Sequence, residues 1–361
     1  MARSFRGSAC SVVLLTMLAA LAAPAQAQGT MVAYLALKGS AQGTFRGSTT
    51  AAGHTGEITA MSLTASQPYG AATPVLHVVS DIAVAPQVVH ALVTNETLLL
   101  PTVAFVKPGP TGTMQQVYQI KALHGYITSA TIAADDVHAP TLTFDLLLSG
   151  STTYTNETGA ATTAPPPSFT GNVPNAHGVV LTGEFKGMRT GDFASSPNAP
   201  MHKGILLDSV SVSISTPVLN GATSGKPLAH PLVITRPTSE DATAFDNARA
   251  TQETFSKILL HVYETQLNGS LVDVFDIETQ NACIDVGNPC ASGSGMATGQ
   301  PGASTGLSPS GGGRAPTSRA IGMRRTSDAS TTMQFLIPTL TVENRQNQTT
   351  VTYSFAQGRL D

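Results

Sequence analysis

The chain has 361 residues, of which 41% are hydrophobic and only 11% are charged, so it is long enough to bury two cores. Trp is absent and aromatic residues make up 5%, while Thr, Ser, Val and Gly recur in short alternating runs, which favours a mainly β fold with aliphatic cores. The formal net charge of −3 argues against nucleic-acid binding, which normally needs a basic surface.

The first residues have the pattern of a secretory signal peptide. Arg3 and Arg6 supply a positive end, and Ala25-Gln26-Ala27 is a small-residue cleavage pattern. The apolar run between them, residues 12–23, is shorter than the roughly 20 residues of a membrane span. We therefore predict that residues 1–27 are removed and that the mature chain, without a membrane span, is secreted or periplasmic. Translation from Met31 would instead give a protein that is cytoplasmic before secretion.

The first half is predicted to carry one helix among strands. Between His77 and Val106 a strand precedes a short helix, for which Pro86 suits the first turn and Asn95 a left-handed end. One helical face is apolar, comprising Val88, Val89, Leu92 and Val93. The predicted strands are Val32–Leu37, Ile58–Thr64, Leu98–Val106, Val117–Ile120, Tyr126–Ile132 and Leu142–Leu148.

Two irregularities are predicted within these strands, and one loop between them. The apolar phase shifts between Ala60 and Met61, which indicates a bulge. Lys121–Gly125 is predicted to be a bend or bulge between two strands, and the Gly-rich stretch Gly39–His54 a loop.

The second half repeats this order between His230 and Val262. Thr238 or Ser239 is the predicted helix cap, with Glu240 and Asp241 beside the positive end of the helix. The apolar face of this helix comprises Ala244, Phe245 and Ala248. The predicted strands are Val179–Phe185, Leu207–Ser215, Phe255–Val262, Leu271–Ile277, Cys283–Val286 and a final hairpin of Met333–Val342 with Thr350–Phe355 around the turn Asn344–Gln348.

Composition marks the boundaries between the two units. Residues 151–174 are rich in Thr, Gly and Ser and contain Pro165-Pro166-Pro167, which predicts an extended linker. The domains are accordingly 28–150 and 175–361. The second contains a Gly/Ser-rich insertion at 291–331, which is predicted to be disordered because it cannot bury enough apolar surface.

Two cysteines remain after the signal peptide. Cys283 and Cys290 are close in sequence, and in an oxidising compartment they are predicted to form a local disulfide, with two free thiols as the alternative. A zinc site needs more Cys or His ligands than this pair offers.

With these elements in order, both halves resemble the Hcp family, the ring-forming tube proteins of bacterial type VI secretion. The residues that carry the resemblance in the first half are Tyr34–Gly39, Gly56-Glu57-Ile58, Ala85-Pro86, Leu92, Tyr118-Gln119-Ile120 and Leu142-Thr143-Phe144. Those of the second half are Leu181–Gly187, His202-Lys203-Gly204, the predicted helix, Val274–Ile277 and Met333-Gln334-Phe335.

The resemblance implies two tandem small β-barrel domains, each with one short α-helix on its side. It also implies a non-enzymatic protein that associates with itself into rings, with secreted effectors or components of the secretion machine as partners. Family members are usually single domains without a cleaved signal. They usually have aromatic residues in the strand where this chain has Met61 and Leu63, or Val210 and Val212.

No catalytic, cofactor-binding or metal-binding motif is found in the sequence, and no cofactor is predicted. Asp135-Asp136-Val137-His138 comes nearest to a metal cluster, but a solvated loop before Pro140 is the preferred interpretation. Glu240-Asp241 is explained by a helix start. The glycosylation patterns at Asn95, Asn156, Asn268 and Asn347 are the expected chance yield of a Thr/Ser/Asn-rich chain.

Two functional hypotheses follow. In the first, the two domains lie side by side in a ring, exposed edge strands pair with a neighbour, and three chains give a pseudo-hexamer. In the second, the chain is an exported, monomeric binding module that keeps the fold and uses loops such as Gly39–His54 or Ser292–Ser330 for recognition.

Overall fold

The structure, a computed structural model, describes residues 31–66, 74–109, 112–163, 166–170, 178–200, 203–238, 241–266, 268–285, 330–355 and 357–360. Within these residues the protein is mainly β, with 25 strands and two α-helices, as the sequence predicts. No helix in this part of the chain is long and apolar enough to cross a membrane. The predicted signal peptide and nearly all of the predicted insertion lie outside the described residues.

The first half contains nine strands and the first helix. The strands are β1 (Val32–Ala36), β2 (Lys38–Gly39), β3 (Gly43–Thr44), β4 (Ile58–Ser66), β5 (Val75–Asp81), β6 (Leu98–Leu99), β7 (Thr102–Pro108), β8 (Met114–Asp135) and β9 (Thr141–Asn156). The helix, α1, covers Ala85–Val93. A two-residue strand, β10 (Phe169–Thr170), follows between the halves.

The second half contains the other fifteen strands and the second helix, α2 (Ala242–Ala250). Its strands are β11 (Val179–Gly187), β12 (Gly191–Asp192), β13 (Ile205–Leu207), β14 (Ser209–Ser215), β15 (Val218–Leu219), β16 (Ala222–Thr223), β17 (Leu228–Ala229), β18 (Leu232–Pro237), β19 (Thr254–Thr265), β20 (Leu271–Thr279), β21 (Ala282–Ile284), β22 (Ser330–Leu336), β23 (Thr339–Asn344), β24 (Thr349–Ser354) and β25 (Arg359–Leu360).

Strand pairing follows a closed circuit in each half. In the first half β1 pairs with β4, β4 with β5, β5 with β9, β9 with β8, β8 with β7 and β7 with β1, all antiparallel. In the second half β11, β13 with β14, β18, β22, β21 and β19 repeat the circuit. A closed circuit leaves few unpaired edges and turns one face of every strand towards an enclosed core.

The predicted bulge in β4 is confirmed, because its register with β5 shifts between Ala60 and Ser62. The two strands predicted on either side of Lys121–Gly125 are one long strand, β8. Register shifts between Ala122 and His124 and between Ile127 and Ser129 replace the predicted break. These bulges let one strand bend round the barrel without ending.

The first helix follows its prediction closely. Pro86 lies in its first turn, Asn95 beyond its end has φ 53°, and the four predicted face residues are buried. A short 3-10 turn, Ile82–Val84, precedes the helix, and the Asp81 carboxylate accepts a hydrogen bond from the Ala83 N–H at 2.9 Å. The turn therefore supplies the side-chain cap that the helix itself lacks.

The predicted cap of the second helix is wrong. The helix begins at Ala242, and its cap residue is Asp241, which has φ 45° and makes no side-chain cap hydrogen bond. The Thr238 hydroxyl lies 3.2 Å from the Thr331 hydroxyl instead, whereas Ser239 and Glu240 lie outside the described residues. Since the capping bond is missing, packing holds this helix. Phe245 and Ala248 are buried.

The core of the second half is mainly aliphatic, as predicted, but it also contains a cluster of phenylalanines. Phe245 lies 5.0 Å from Phe185 and 4.9 Å from Phe193, ring centre to ring centre, and Phe255 and Phe335 complete the group. The buried Arg236 guanidinium stacks over Phe245 at 4.6 Å. A few phenylalanines suffice for such a cluster when the topology brings them to one place, so their overall scarcity does not exclude it.

Other predictions also differ from the structure. The predicted strand Leu98–Val106 is interrupted at Leu100 and Pro101 and forms β6 and β7. Strand β9 runs to Asn156, six residues into the predicted linker, and β10 forms within the same stretch. The predicted strand Met333–Val342 is interrupted before Pro338 and forms β22 and β23. The predicted loop Gly39–His54 contains part of β2 and all of β3.

Candidate functional site

The candidate site is the junction between the halves, where β8 of the first half pairs with β14 of the second. Seven residue pairs join the two strands, from Ser209 opposite Asp135 to Ser215 opposite Ser129. Backbone bonds extend the ladder at both ends, from Asp136 N–H to the Asp208 carbonyl at 3.2 Å and from Thr216 N–H to the Thr128 carbonyl at 2.9 Å. The two halves thus form one continuous sheet.

On this ladder the side chains alternate between two environments. Val210, Val212 and Ile214 are buried, while the serines between them face outward, as the alternating sequence predicts. The Ser213 and Thr131 hydroxyls lie 2.7 Å apart across the junction. Small hydroxyl side chains at these positions let two sheets meet without burying charge.

A second contact joins the halves at the start of the first helix. The Ala83 carbonyl accepts hydrogen bonds from the Asn344 side-chain amide at 3.1 Å and from the Asn347 amide at 3.2 Å. Helix α1 packs against β23 and β24, which are the two strands that this Asn-rich turn connects. Strands of both halves therefore pack against α1.

Each half also contains a buried glutamate that holds a tight turn, between β2 and β3 in the first half and between β11 and β12 in the second. The Glu96 carboxylate accepts hydrogen bonds from the backbone N–H groups of Ala41 at 2.5 Å and Gln42 at 2.9 Å. In the second half Glu253 does the same for Arg189 at 2.6 Å and Thr190 at 3.2 Å.

A glycine lies against each of these carboxylates. A Cβ added at Gly39 would lie 2.2 Å from Glu96, and one at Gly187 would lie 2.7 Å from Glu253. The close approach explains why a glycine stands at both positions. The pattern Asn95-Glu96-Thr97 predicts no more than a chance glycosylation motif, so this role of Glu96 was not predicted. The sequence feature that could have indicated this role is the repetition of Thr94-Asn95-Glu96-Thr97 as Thr251-Gln252-Glu253-Thr254.

A buried cluster of charged groups lies on the second-half sheet, on the side that faces away from the barrel core. His261 Nδ1 lies 2.8 Å from Asp276 Oδ1 and 3.1 Å from Asp273 Oδ2. The register of β19 with β20 shifts between Val262 and Tyr263, so that Asp276 faces His261 and Asp273 faces Tyr263. This bulge brings two aspartates three residues apart onto one face of the sheet.

The charges of this cluster compensate one another. The Arg345 guanidinium binds Asp276 and also donates to Glu343 at 2.7 Å. Burial alone lowers the pKa of His261, but the hydrogen bonds and negative charges of Asp273 and Asp276 outweigh it and raise the pKa to about 9. Burial raises the pKa of Asp276, and the hydrogen bonds and charges of His261 and Arg345 more than reverse this.

His261, Asp273 and Asp276 are the group of potential metal ligands found among the described residues, with ligand atoms within 4.8 Å of one another. Protonated His261 and Arg345 already supply positive charge to the two aspartates. The arrangement therefore acts as an ion-pair network that ties β19 and β20 to the turn after β23, which is the turn that contacts Ala83.

The predicted site residues lie apart from one another. Asp135 and His138 form an exposed turn at the end of β8, with His138 Nδ1 3.0 Å from Asp135 Oδ2. The pKa of Asp135 is lowered because hydrogen bonds from His138 and Val137 outweigh the effect of burial. Cys283 is buried in β21 and disulfide-bonded. Cys290 lies outside the described residues, so their pairing stays a prediction.

Comparison with known proteins finds similar solved structures. An Hcp protein is 14% identical, with 49% of this chain and 98% of that chain covered and a TM-score of 0.34. A double mutant of the Hcp1 protein from E. coli EAEC 042 is 12% identical, with coverages of 49% and 97% and a TM-score of 0.34. The secreted protein Hcp3 from Pseudomonas aeruginosa is 19% identical, with coverages of 37% and 96% and a TM-score of 0.30. No family model and no curated protein matches the sequence.

Proposed function

We propose that this chain is a non-enzymatic assembly protein, in which two Hcp-like domains form adjacent units of a ring of the kind found in type VI secretion. Three chains would then close a pseudo-hexamer. The observation that carries the proposal is the pairing of β8 with β14, because it joins one half to the other edge to edge, as a head-to-tail ring requires.

The correspondence between the halves supports this proposal. Both halves have the same circuit of strand pairs, one helix at the same point of the circuit, and a buried glutamate that holds the same loop. If the halves are equivalent units, the contact between them is also a template for the contact between chains. A contact between non-identical edges closes into a ring when its rotation divides a full turn.

The alternative is an exported binding module with the same fold and no role in a tube. One observation favours it: β10 covers part of the edge of β4. In the second half, the equivalent edge belongs to β14 and is paired with β8. A covered edge is a common way to keep a β protein monomeric.

Multi-angle light scattering on residues 28–361 tests the proposal. At tens of micromolar protein we expect a mass of three chains, in reversible equilibrium with the single chain, and rings with threefold symmetry by negative-stain electron microscopy. A strict monomer throughout this range would leave the binding module as the better account.

N-terminal sequencing of the native protein tests the proposed location. A mature chain that begins at Gln28 fits export and removal of residues 1–27. A chain that begins at Met31 fits a cytoplasmic protein that is drawn into a secretion machine.

A further inference from the structure

Strand β10 lies on the edge of β4 in the first barrel. This edge is equivalent to the edge of β14 where the two halves join. In the second half, β13 pairs with β11, and β14, which follows it, pairs along the same edge with β8. Along the matching edge, β4 pairs first with β1 and then with β10. The equivalent residues are Leu63 and Val210, since Leu63 lies opposite Val78 of β5 and Val210 opposite Ile234 of β18.

The two occupants of this edge differ in extent. Strand β8 pairs with seven residues of β14, whereas within the described residues β10 pairs Phe169 with Leu63 and Thr170 with Ser62. Phe169 is half-buried against the core, and its carbonyl accepts a hydrogen bond from the Ser62 hydroxyl at 3.2 Å. Within residues 166–170 the segment is attached by the Phe169 side chain and a few hydrogen bonds.

Prolines limit this segment on its N-terminal side. Continuing the register of β10 places Pro167 opposite Ala65 and Pro166 opposite Ser66. Proline has no N–H, so the ladder cannot extend in that direction. Ala65 instead donates its N–H to the Ser168 hydroxyl at 3.4 Å, a weaker substitute for a ladder bond.

We propose that Phe169 and Thr170 form a removable cap on the β4 edge, which must leave before a second copy of this chain can pair there. This inference rests on the proposed function and adds its regulation. The occupant is a second copy because the chain itself shows what this edge accepts: in its other half the same edge is filled by seven residues of an antiparallel strand of the same protein.

The cap protects a strand edge that would otherwise be open. An open strand edge pairs indiscriminately, so a chain with one exposed edge risks aggregation before it assembles. A two-residue cap protects the edge from weak competitors, and a longer matching strand displaces it because that strand forms more ladder bonds. Assembly is thereby restricted to partners that match the whole edge.

Sedimentation velocity on the full mature chain tests the cap with three variants. Phe169→Asp removes the apolar anchor and releases the cap, and Phe169→Ser does so without adding charge. Thr163→Asp is the matched control, because it adds the same charge to an exposed residue of the same segment. We expect both Phe169 variants to associate at concentrations about tenfold lower than the wild type and the control.

A fourth variant identifies the edge that is used. Ala65→Pro, added to Phe169→Ser, removes an N–H that points towards β10 and leaves the pairing of β4 with β5 intact. We expect it to abolish the gain in association. Circular dichroism and thermal melting confirm that each variant is folded.

The outcomes separate the cap from the proposed function. If the wild type assembles and the folded Phe169 variants assemble at the same concentration, the cap is overturned and the ring stands. If the Ala65→Pro addition leaves the gain unchanged, association uses another surface and the cap is likewise overturned. If the wild type and every folded variant stay monomeric, the proposed function fails, and the cap fails with it.

Discussion

His261 links the stability of the second half to pH. Its pKa of about 9 in the folded protein exceeds its ordinary value of 6.5. Between these two pH values the folded state keeps a proton on His261 that the unfolded state has released. The stabilisation is complete below pH 6.5 and is lost as the pH rises to about 9. Urea unfolding should show a fall of about 3 kcal/mol in the free energy of unfolding across this window.

The matched variants are His261→Asn and His138→Asn. His261→Asn should be less stable than the wild type at the acidic end and nearly independent of pH across the window. His138, whose side chain is 49% exposed beside Asp135, should give the wild-type profile when replaced. An unchanged pH profile in His261→Asn would show that another group titrates.

At the level of single residues, backbone conformations are easier to predict from the sequence than contacts between buried polar groups. Asn95 was predicted as a left-handed residue because its position after an apolar helical face leaves few alternatives. Glu96, His261 and Asp276 gave no such signal, since their partners come from distant strands and a β-bulge decides which face Asp273 shares. Only the tertiary structure brings these groups together.

At the level of elements, helix α1 depends on packing, because it lacks a side-chain cap of its own. Leu92 is fully buried, and its carbonyl lies 3.4 Å from the Thr216 hydroxyl of the second half. Leu92→Ala should lower the free energy of unfolding by about 2 to 4 kcal/mol in urea titrations. The same truncation at Leu219, which is 62% exposed, should cost less than about 0.5 kcal/mol. Equal effects would mean that α1 contributes little to the core.

Strand positions were predictable from alternation, and strand limits were not. The runs that became β1, β4, β11 and β14 alternate clearly or carry β-branched residues, so their place in the chain was evident. The sequence predicts two strands in place of β8 because the bulges interrupt the alternation. It predicts too early an end for β9 because the last residues of β9 are polar. The pairing of β8 with β14 had no local signal, since it joins residues that lie far apart in the sequence.

At the level of the whole molecule, the structure makes the halves depend on each other. The β8–β14 ladder and the packing of α1 on β23 and β24 are two separate sets of contacts between the halves. Mutual dependence of this kind predicts one cooperative unfolding transition, although each half has its own circuit of strands. Differential scanning calorimetry of the wild type should show one peak, and two well-separated peaks would contradict the coupling.

Replacing Asn344 and Asn347 by Asp tests which contact carries the coupling. Aspartate keeps the side-chain oxygens that accept hydrogen bonds from the backbone of Gln346 and Thr349, so the turn itself is retained. It removes both amide donors to the Ala83 carbonyl and places negative charge beside that oxygen. We expect a loss of about 2 kcal/mol and a broader or divided calorimetric peak, because each lost hydrogen bond is worth about 1 kcal/mol. A single sharp peak at the wild-type temperature would assign the coupling to the β8–β14 ladder alone.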